Sequence, residues 1–315
     1  MSHLLHRALA FFAAAAASSL ATLAQPSLTP PTTYRLSANS SFLRGCFDPC
    51  ACPISEYAPV LGTFRLERAP SDPLFDHYRV TDVNWIVPGL DARVTGSGTY
   101  RIGGEVAIQH QLVLDLQIGN EDPLHFDSGL VVGTAAFPRI AIAIAVNGFY
   151  CFDHVFEIEA APVSPREIRP YRLLAGSTYQ EGCWDPCDCI LWPEQPMRGS
   201  FNLLALGSTG GFSYYAALDV RLGVLAPSVI SAATIRGSGI YQVSSVVADP
   251  PRQRLRATLA VRSDPPAKFD SGLVAAVATF PRIDVLVSMN QLVCYDRAVH
   301  IVAAPLALSA IVPSP

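Results

Sequence analysis

The chain has 315 residues, 50% of them hydrophobic and 15% charged, with 26 prolines, 21 glycines and a formal net charge of −4. That is room for roughly two domains, in a folding composition poor in charge and rich in turn formers. The slight negative balance, with Lys268 the only lysine, excludes the basic footprint expected of a nucleic-acid-binding protein.

The first element in chain order is an apolar run preceded by Arg7 and followed by small residues around Ala24. It reads as a secretory signal peptide over residues 1–24. The helix-breaking leader "QPSLTPPTT" at 25–33 follows at once, which favours cleavage over a retained anchor. The expectation is an exported protein, periplasmic or extracellular, with no membrane span after cleavage.

From Tyr34 onward the chain says everything twice. "YRLSANSSF" at Tyr34 returns as "YRLLAGSTY" at Tyr171, an offset of 137; "GSGTY" at Gly96 returns as "GSGIY" at Gly237, offset 141; "FDSGLV" at Phe126 returns at Phe269, offset 143. The offset grows in two steps, which places short insertions of the second copy in "LAPSVISAAT" and "VSSVVADPP". The copies span 34–162 and 171–305, with a linker at 163–170 and a tail at 306–315. Each copy is long enough to bury its own core.

Period-two alternation marks half-buried strands. In the first copy it predicts about eight, at 34–40, 60–67, 77–87, 92–102, 107–118, 126–132, 138–146 and 152–160. Positions apolar in both copies assign the inner faces. Ile140, Ile142 and Ile144 match Ile283, Val285 and Val287, and Val83, Trp85 and Val87 match Val220, Leu222 and Val224. Val94, Gly96, Gly98 and Tyr100 share one face, so the glycines there predict a sharp bend or a close approach by another segment. The fold class is all-β: two tandem antiparallel domains, each a small barrel or sandwich.

Each copy holds four cysteines: Cys46, Cys50, Cys52 and Cys151, then Cys183, Cys187, Cys189 and Cys294. An even count per unit in an exported chain predicts disulfides. Zinc or Cu(I) is the competing use of four thiols, and the single-residue spacing of Cys50 and Cys52 is tight for a chelate. A Cys50–Cys52 bridge would close a very small ring. That leaves Cys46–Cys50 with Cys52–Cys151, or Cys46–Cys52 with Cys50–Cys151, and the same choice in the second copy. No cofactor or metal is expected.

A duplicated active site should keep its residues in both copies. None of His77, His110, His125, His154 and His300 is matched by histidine, so they read as surface or rim residues. The polar residues retained in both copies are Asp48, Asp82, Ser97, Asp127, Ser128, Arg139 and Asp153, matched by Asp185, Asp219, Ser238, Asp270, Ser271, Arg282 and Asp296; Asp127, Arg139 and Asp153, with Asp270, Arg282 and Asp296, are the site candidates among them. The "FDSG" motif reads first as an Asx-type turn with glycine at positive φ; its functional alternative pairs Asp127 with Arg139 or makes it a calcium ligand, for which a lone aspartate is a poor site. A nucleophile elbow, a P-loop and a zincin motif are all missing from the sequence. The leading expectation is a non-enzymatic binding or structural protein of the cell envelope or exterior, with a protein, glycan or small apolar ligand as partner. At fold level an exported eight-strand barrel resembles the lipocalin-like and YceI-like carriers, a likeness that implies an apolar ligand in a barrel cavity.

Overall fold

The structure is a computed structural model that describes residues 30–52, 55–225, 233–245 and 250–306. The expected signal peptide, most of the leader, the tail past 306 and the centres of both insertions lie outside the described residues.

In the first copy the strands are β1 (Thr32–Leu36), β2 (Ser41–Cys46), β3 (Ser55–Pro59), β4 (Leu61–Arg68), β5 (Phe75–Val87), β6 (Ala92–Gly103), β7 (Gln109–Ile118), β8 (Leu124–Asp127), β9 (Val131–Val132), β10 (Ile140–Ala145) and β11 (Phe152–Pro162). In the second they are β12 (Arg169–Leu173), β13 (Thr178–Trp184), β14 (Gln195–Thr209), β15 (Phe212–Val224), β16 (Thr234–Ser244), β17 (Arg252–Val261), β18 (Ala267–Asp270), β19 (Val274–Ala275), β20 (Ile283–Ser288) and β21 (Cys294–Pro305). The two sets form separate antiparallel sheets of eleven and ten strands.

Both sheets close. The first runs β1-β4-β5-β6-β7-β8-β10-β11 and returns to β1 through Tyr34 against Pro162. The second runs β12-β14-β15-β16-β17-β18-β20-β21 and returns to β12 through Tyr171 against Pro305. Each is therefore an eight-membered barrel of sequential neighbours, called barrel 1 and barrel 2 below. Closure removes the free edges that an open sheet must protect.

The strands missing from the sequence reading are β2 and β3. They continue β1 and β4 past a short break, pairing Ser41–Gly45 with Pro59–Ser55. The expected strand at 126–132 is two pieces, because β8 ends at Asp127 and β9 turns back onto β7. β1 starts inside the expected leader and β12 inside the expected linker.

The predicted inner faces fill the barrels. Trp85, Val94, Leu116, Ile144 and Phe156 are buried in barrel 1, as Ile235, Leu259, Val287 and Val299 are in barrel 2. Tyr34 stacks on Phe64 at 5.3 Å, and its counterpart Tyr171 stacks on Phe201 at 5.3 Å. A Cβ at Gly96 or Gly98 would strike the carbonyls of Asp115 or Val113, and one at Gly237 or Gly239 those of Thr258 or Arg256. The paired glycines let the next strand close in from the inner face, which tightens the coil of the sheet.

His110 corrects the surface reading of the histidines. It is 2% exposed and faces the Tyr100 hydroxyl at 3.4 Å, because it lies on the inner face of β7 in line with Leu112 and Leu114. Barrel 2 has Gln253 there, accepting from Tyr241 at 2.9 Å.

A third apolar cluster joins the barrels. Leu61 and Ile86 of barrel 1 pack with Leu204, Leu206, Tyr214, Ala216, Leu218 and Ile240 of barrel 2, flanked by Val163 and Ile168. All are outward-facing positions of their strands, yet Leu204 and Ala216 are fully buried. Each such Leu or Ile side chain contributes about 1.5–3 kcal/mol when removed from water.

Candidate functional site

All eight cysteines are disulfide-bonded. The pairs are Cys46–Cys52 and Cys50–Cys151 in barrel 1, and Cys183–Cys189 and Cys187–Cys294 in barrel 2. Of the two pairings that the spacing left open, the structure takes the second, with no bridge between copies. The clustered thiols are staples: one closes a tight loop after the second strand, and the other ties that loop to the start of the last strand. Four such bonds fit an oxidising, non-cytoplasmic location. Among the described residues no helix is long and apolar enough to cross a membrane.

The duplicated polar residues are not brought together. Asp153 is fully buried, and its carboxylate accepts from the backbone N–H groups of Val146, Asn147, Phe149 and His154. Asp296 does the same for Met289, Leu292 and Arg297. Each thus holds the loop that precedes its own strand. Asp127 and Asp270 accept from the N–H of Gly129 and Gly272 at 2.8 Å, with both glycines at positive φ. The neighbouring serines, Ser128 and Ser271, accept from Leu112 and Leu255 of the adjacent strand at 3.0 Å. These motifs sit where neighbouring strands of each ring are joined by a single pair, Asp127 to Ala145 and Asp270 to Ser288. Arg139 and Arg282 are exposed, and neither forms an ion pair with any described residue.

The chemistry gathers between the barrels instead. Asp82 and Asp219, retained in both copies, sit at positive φ where β5 and β15 carry a register shift. Such a bulge re-aims its side chain. Arg65 of β4 reaches both, Asp219 at 2.6 Å and Asp82 at 3.4 Å, and so ties barrel 1 to barrel 2. Desolvation raises the Asp219 carboxyl, but Arg65, Asn202 and Arg221 outweigh it and hold its pKa below the usual range. Arg65, Asp82 and Asp219 line a groove of about 460 Å³ together with Thr63, Arg221, Arg236, Ser238 and Thr258.

Polar contacts beside the groove fix its width. Arg93 of β6 donates to Asn84 on its own barrel, and to the Thr258 hydroxyl and the Ser238 carbonyl across the interface. Burial pushes its guanidinium down to about 10, with Arg256 adding to the effect. Asn84 donates to Gly239 at 2.8 Å. Asp91 takes Arg254 at 2.8 Å and Arg256 at closer range. Lys268 donates to the Gly119 carbonyl at 2.6 Å. Of these, the sequence singled out Asp82, Asp219 and Ser238 as retained polar residues; it gave no reason to choose Arg65, Arg93, Arg221, Arg236 or Asp91.

Compared with known protein families, with curated proteins and with solved structures, the chain matches none.

Proposed function

We propose that the chain is an exported, non-enzymatic binding protein of the cell envelope or exterior, whose two stapled barrels hold a ligand in the groove between them. The observation that carries this reading is where the space lies. The groove measures about 460 Å³, within the range of small-molecule sites. The cavity inside barrel 2 is about 20 Å³, and that interior is filled by Phe201, Tyr241, Leu259 and their neighbours. A carrier of apolar ligands needs its space inside the barrel, so the filled interior supports the groove over the carrier. The polar groups that a catalyst would have to present, Asp127 and Asp153, are engaged by backbone N–H groups in this fold.

Native mass spectrometry of the protein purified from its host tests the reading. A small molecule should accompany the wild type and be absent from Thr33→Trp, which fills the groove from its rim. Retention of the same molecule by both proteins would move the site elsewhere. Turnover of a substrate, abolished by one point mutation, would overturn the non-enzymatic assignment.

A further inference from the structure

The walls of the groove are chemically unequal. On barrel 2, Arg221 of β15 and Arg236 of β16 stand directly opposite each other in the ladder. Both are exposed, and neither guanidinium has a hydrogen bond or ion pair to a described residue. Arg221 is near enough to Asp219 to help lower its pKa, but that carboxylate is already taken by Arg65 and Asn202. Like charges facing across an antiparallel pair destabilise a sheet. Barrel 1 avoids this: its corresponding pair is Asn84 opposite Thr95.

A second, independent feature lies on the other wall. Thr63 of β4 is 1% exposed, lines the same groove, and its hydroxyl has no hydrogen-bond partner. A buried hydroxyl left unpaired keeps the cost of its lost water without recovering a hydrogen bond. The groove therefore holds two features that disfavour the empty state, a facing pair of like charges and an unpaired buried hydroxyl. Both would be relieved by one kind of occupant.

We propose that the groove binds a hydroxyl-bearing organic oxyanion: a carboxylate, sulfate or phosphate on a body of sugar size, with the anionic group between Arg221 and Arg236. Guanidinium groups favour such oxyanions because two parallel N–H donors match two oxygens. Arg65 spans the two groove carboxylates, and with Arg221 and Arg236 the lining carries three arginines against two aspartates, an excess of positive charge. The inference rests on the groove being the binding site and adds the charge of what enters it.

The test uses the full disulfide-bonded protein, with glucuronate, glucose 6-phosphate, glucose 6-sulfate and glucose as probes in calorimetry and thermal melting. At least one charged probe should bind and raise the melting temperature, while glucose binds at least tenfold more weakly. Arg221→Gln and Arg236→Gln should each weaken that binding at least tenfold, and binding should fall as salt is raised. Without ligand the same two variants should melt at or above the wild-type temperature, which a purely structural role for these arginines would not produce. Three results overturn the proposal: no charged probe binds, glucose binds as well as the charged sugars, or the arginine variants bind unchanged. If glucose binds equally and Thr33→Trp blocks it, the anion assignment falls while the groove remains the site. If nothing binds, the co-purification test still decides the groove separately.

Discussion

Matched strands of the two barrels agree on the inside and part company on the outside. The inner face of β5 reads Tyr78, Val80, Val83, Trp85 and that of β15 reads Tyr215, Ala217, Val220, Leu222. The outer faces of the same strands read His77, Arg79, Thr81 against Tyr214, Ala216, Leu218. On β7 the outer side is Gln111, Val113, Asp115; on β17 it is Arg254, Arg256, Thr258. The inside stays apolar in both copies, although side-chain size changes as from Trp85 to Leu222, because that face is withdrawn from water. The outside changed where one copy met the other. Leu204 and Ile240 of barrel 2 occupy positions that are Glu67 and Thr99 in barrel 1, while Leu61 and Ile86 of barrel 1 correspond to Arg198 and Gly223 in barrel 2. The docking is thus heterologous: two different patches meet. The polar residues at the corresponding positions leave neither barrel a second sticky face, which an open-ended array would need.

The largest expected effect breaks what the copies share. Removing the long staple of barrel 1 with Cys50→Ala and Cys151→Ala opens a bridge between residues 101 apart, and should lose about 4–5 kcal/mol in the chain-entropy view. Removing Cys46–Cys52, only 6 apart, should lose about 2 kcal/mol. Chemical denaturation of the two double variants checks the order, and equal losses would refute it.

The next test strikes what they do not share. Leu204→Glu buries a carboxylate with no partner at a fully buried position and should lose about 3 kcal/mol. Glu67→Leu at the corresponding place in barrel 1 should stay within about 0.5 kcal/mol, since it removes only an exposed ion pair with Arg79. Asp91→Ala should fall between them, at about 1–2 kcal/mol. It takes from Arg256, which is 9% exposed, its nearer carboxylate and leaves only Asp270 at 3.8 Å, while Asp91 itself is 65% exposed and partly screened.

A smaller effect separates the interiors. Burial lowers the His110 pKa, so the folded state favours the neutral ring. Its contribution is present above the unfolded histidine value of about 6.5 and is lost as pH falls below it. His154, also lowered by burial and by Arg44, acts in the same direction. His110→Gln, the residue barrel 2 uses, should flatten but not abolish the acid-side drop in melting temperature. An unchanged pH profile would contradict the burial argument.

The architecture was largely legible because period-two alternation and the repeat reinforce each other: Ile283, Val285 and Val287 mark the face of Ile140, Ile142 and Ile144 as the inner one. The strands β2 and β3 were not, since "SFLRGC" and "SEYAP" flank the cysteine loop and show no clean alternation. Closure was not legible either, because it depends on Tyr34 meeting Pro162 across the whole copy. The groove escaped for a different reason. Retained polar residues such as Asp127 and Asp153 turned out to hold loops, whereas Arg221, Arg236 and Arg256 stand where the copies differ. A duplicated fold keeps its structural polar groups and varies its contacts, so the positions of charge difference were the signal for this site.

The diverged outer faces hold the two barrels together as one unit. A protease site introduced in the exposed turn at Pro165–Glu167, cut in the oxidised protein, tests it directly. After cutting, the two halves should co-elute in size-exclusion chromatography as one species of the intact chain's size, and should separate when Leu204→Glu is present. Separation of the cut wild-type protein into two independent halves would show that the outer faces do not hold the barrels together.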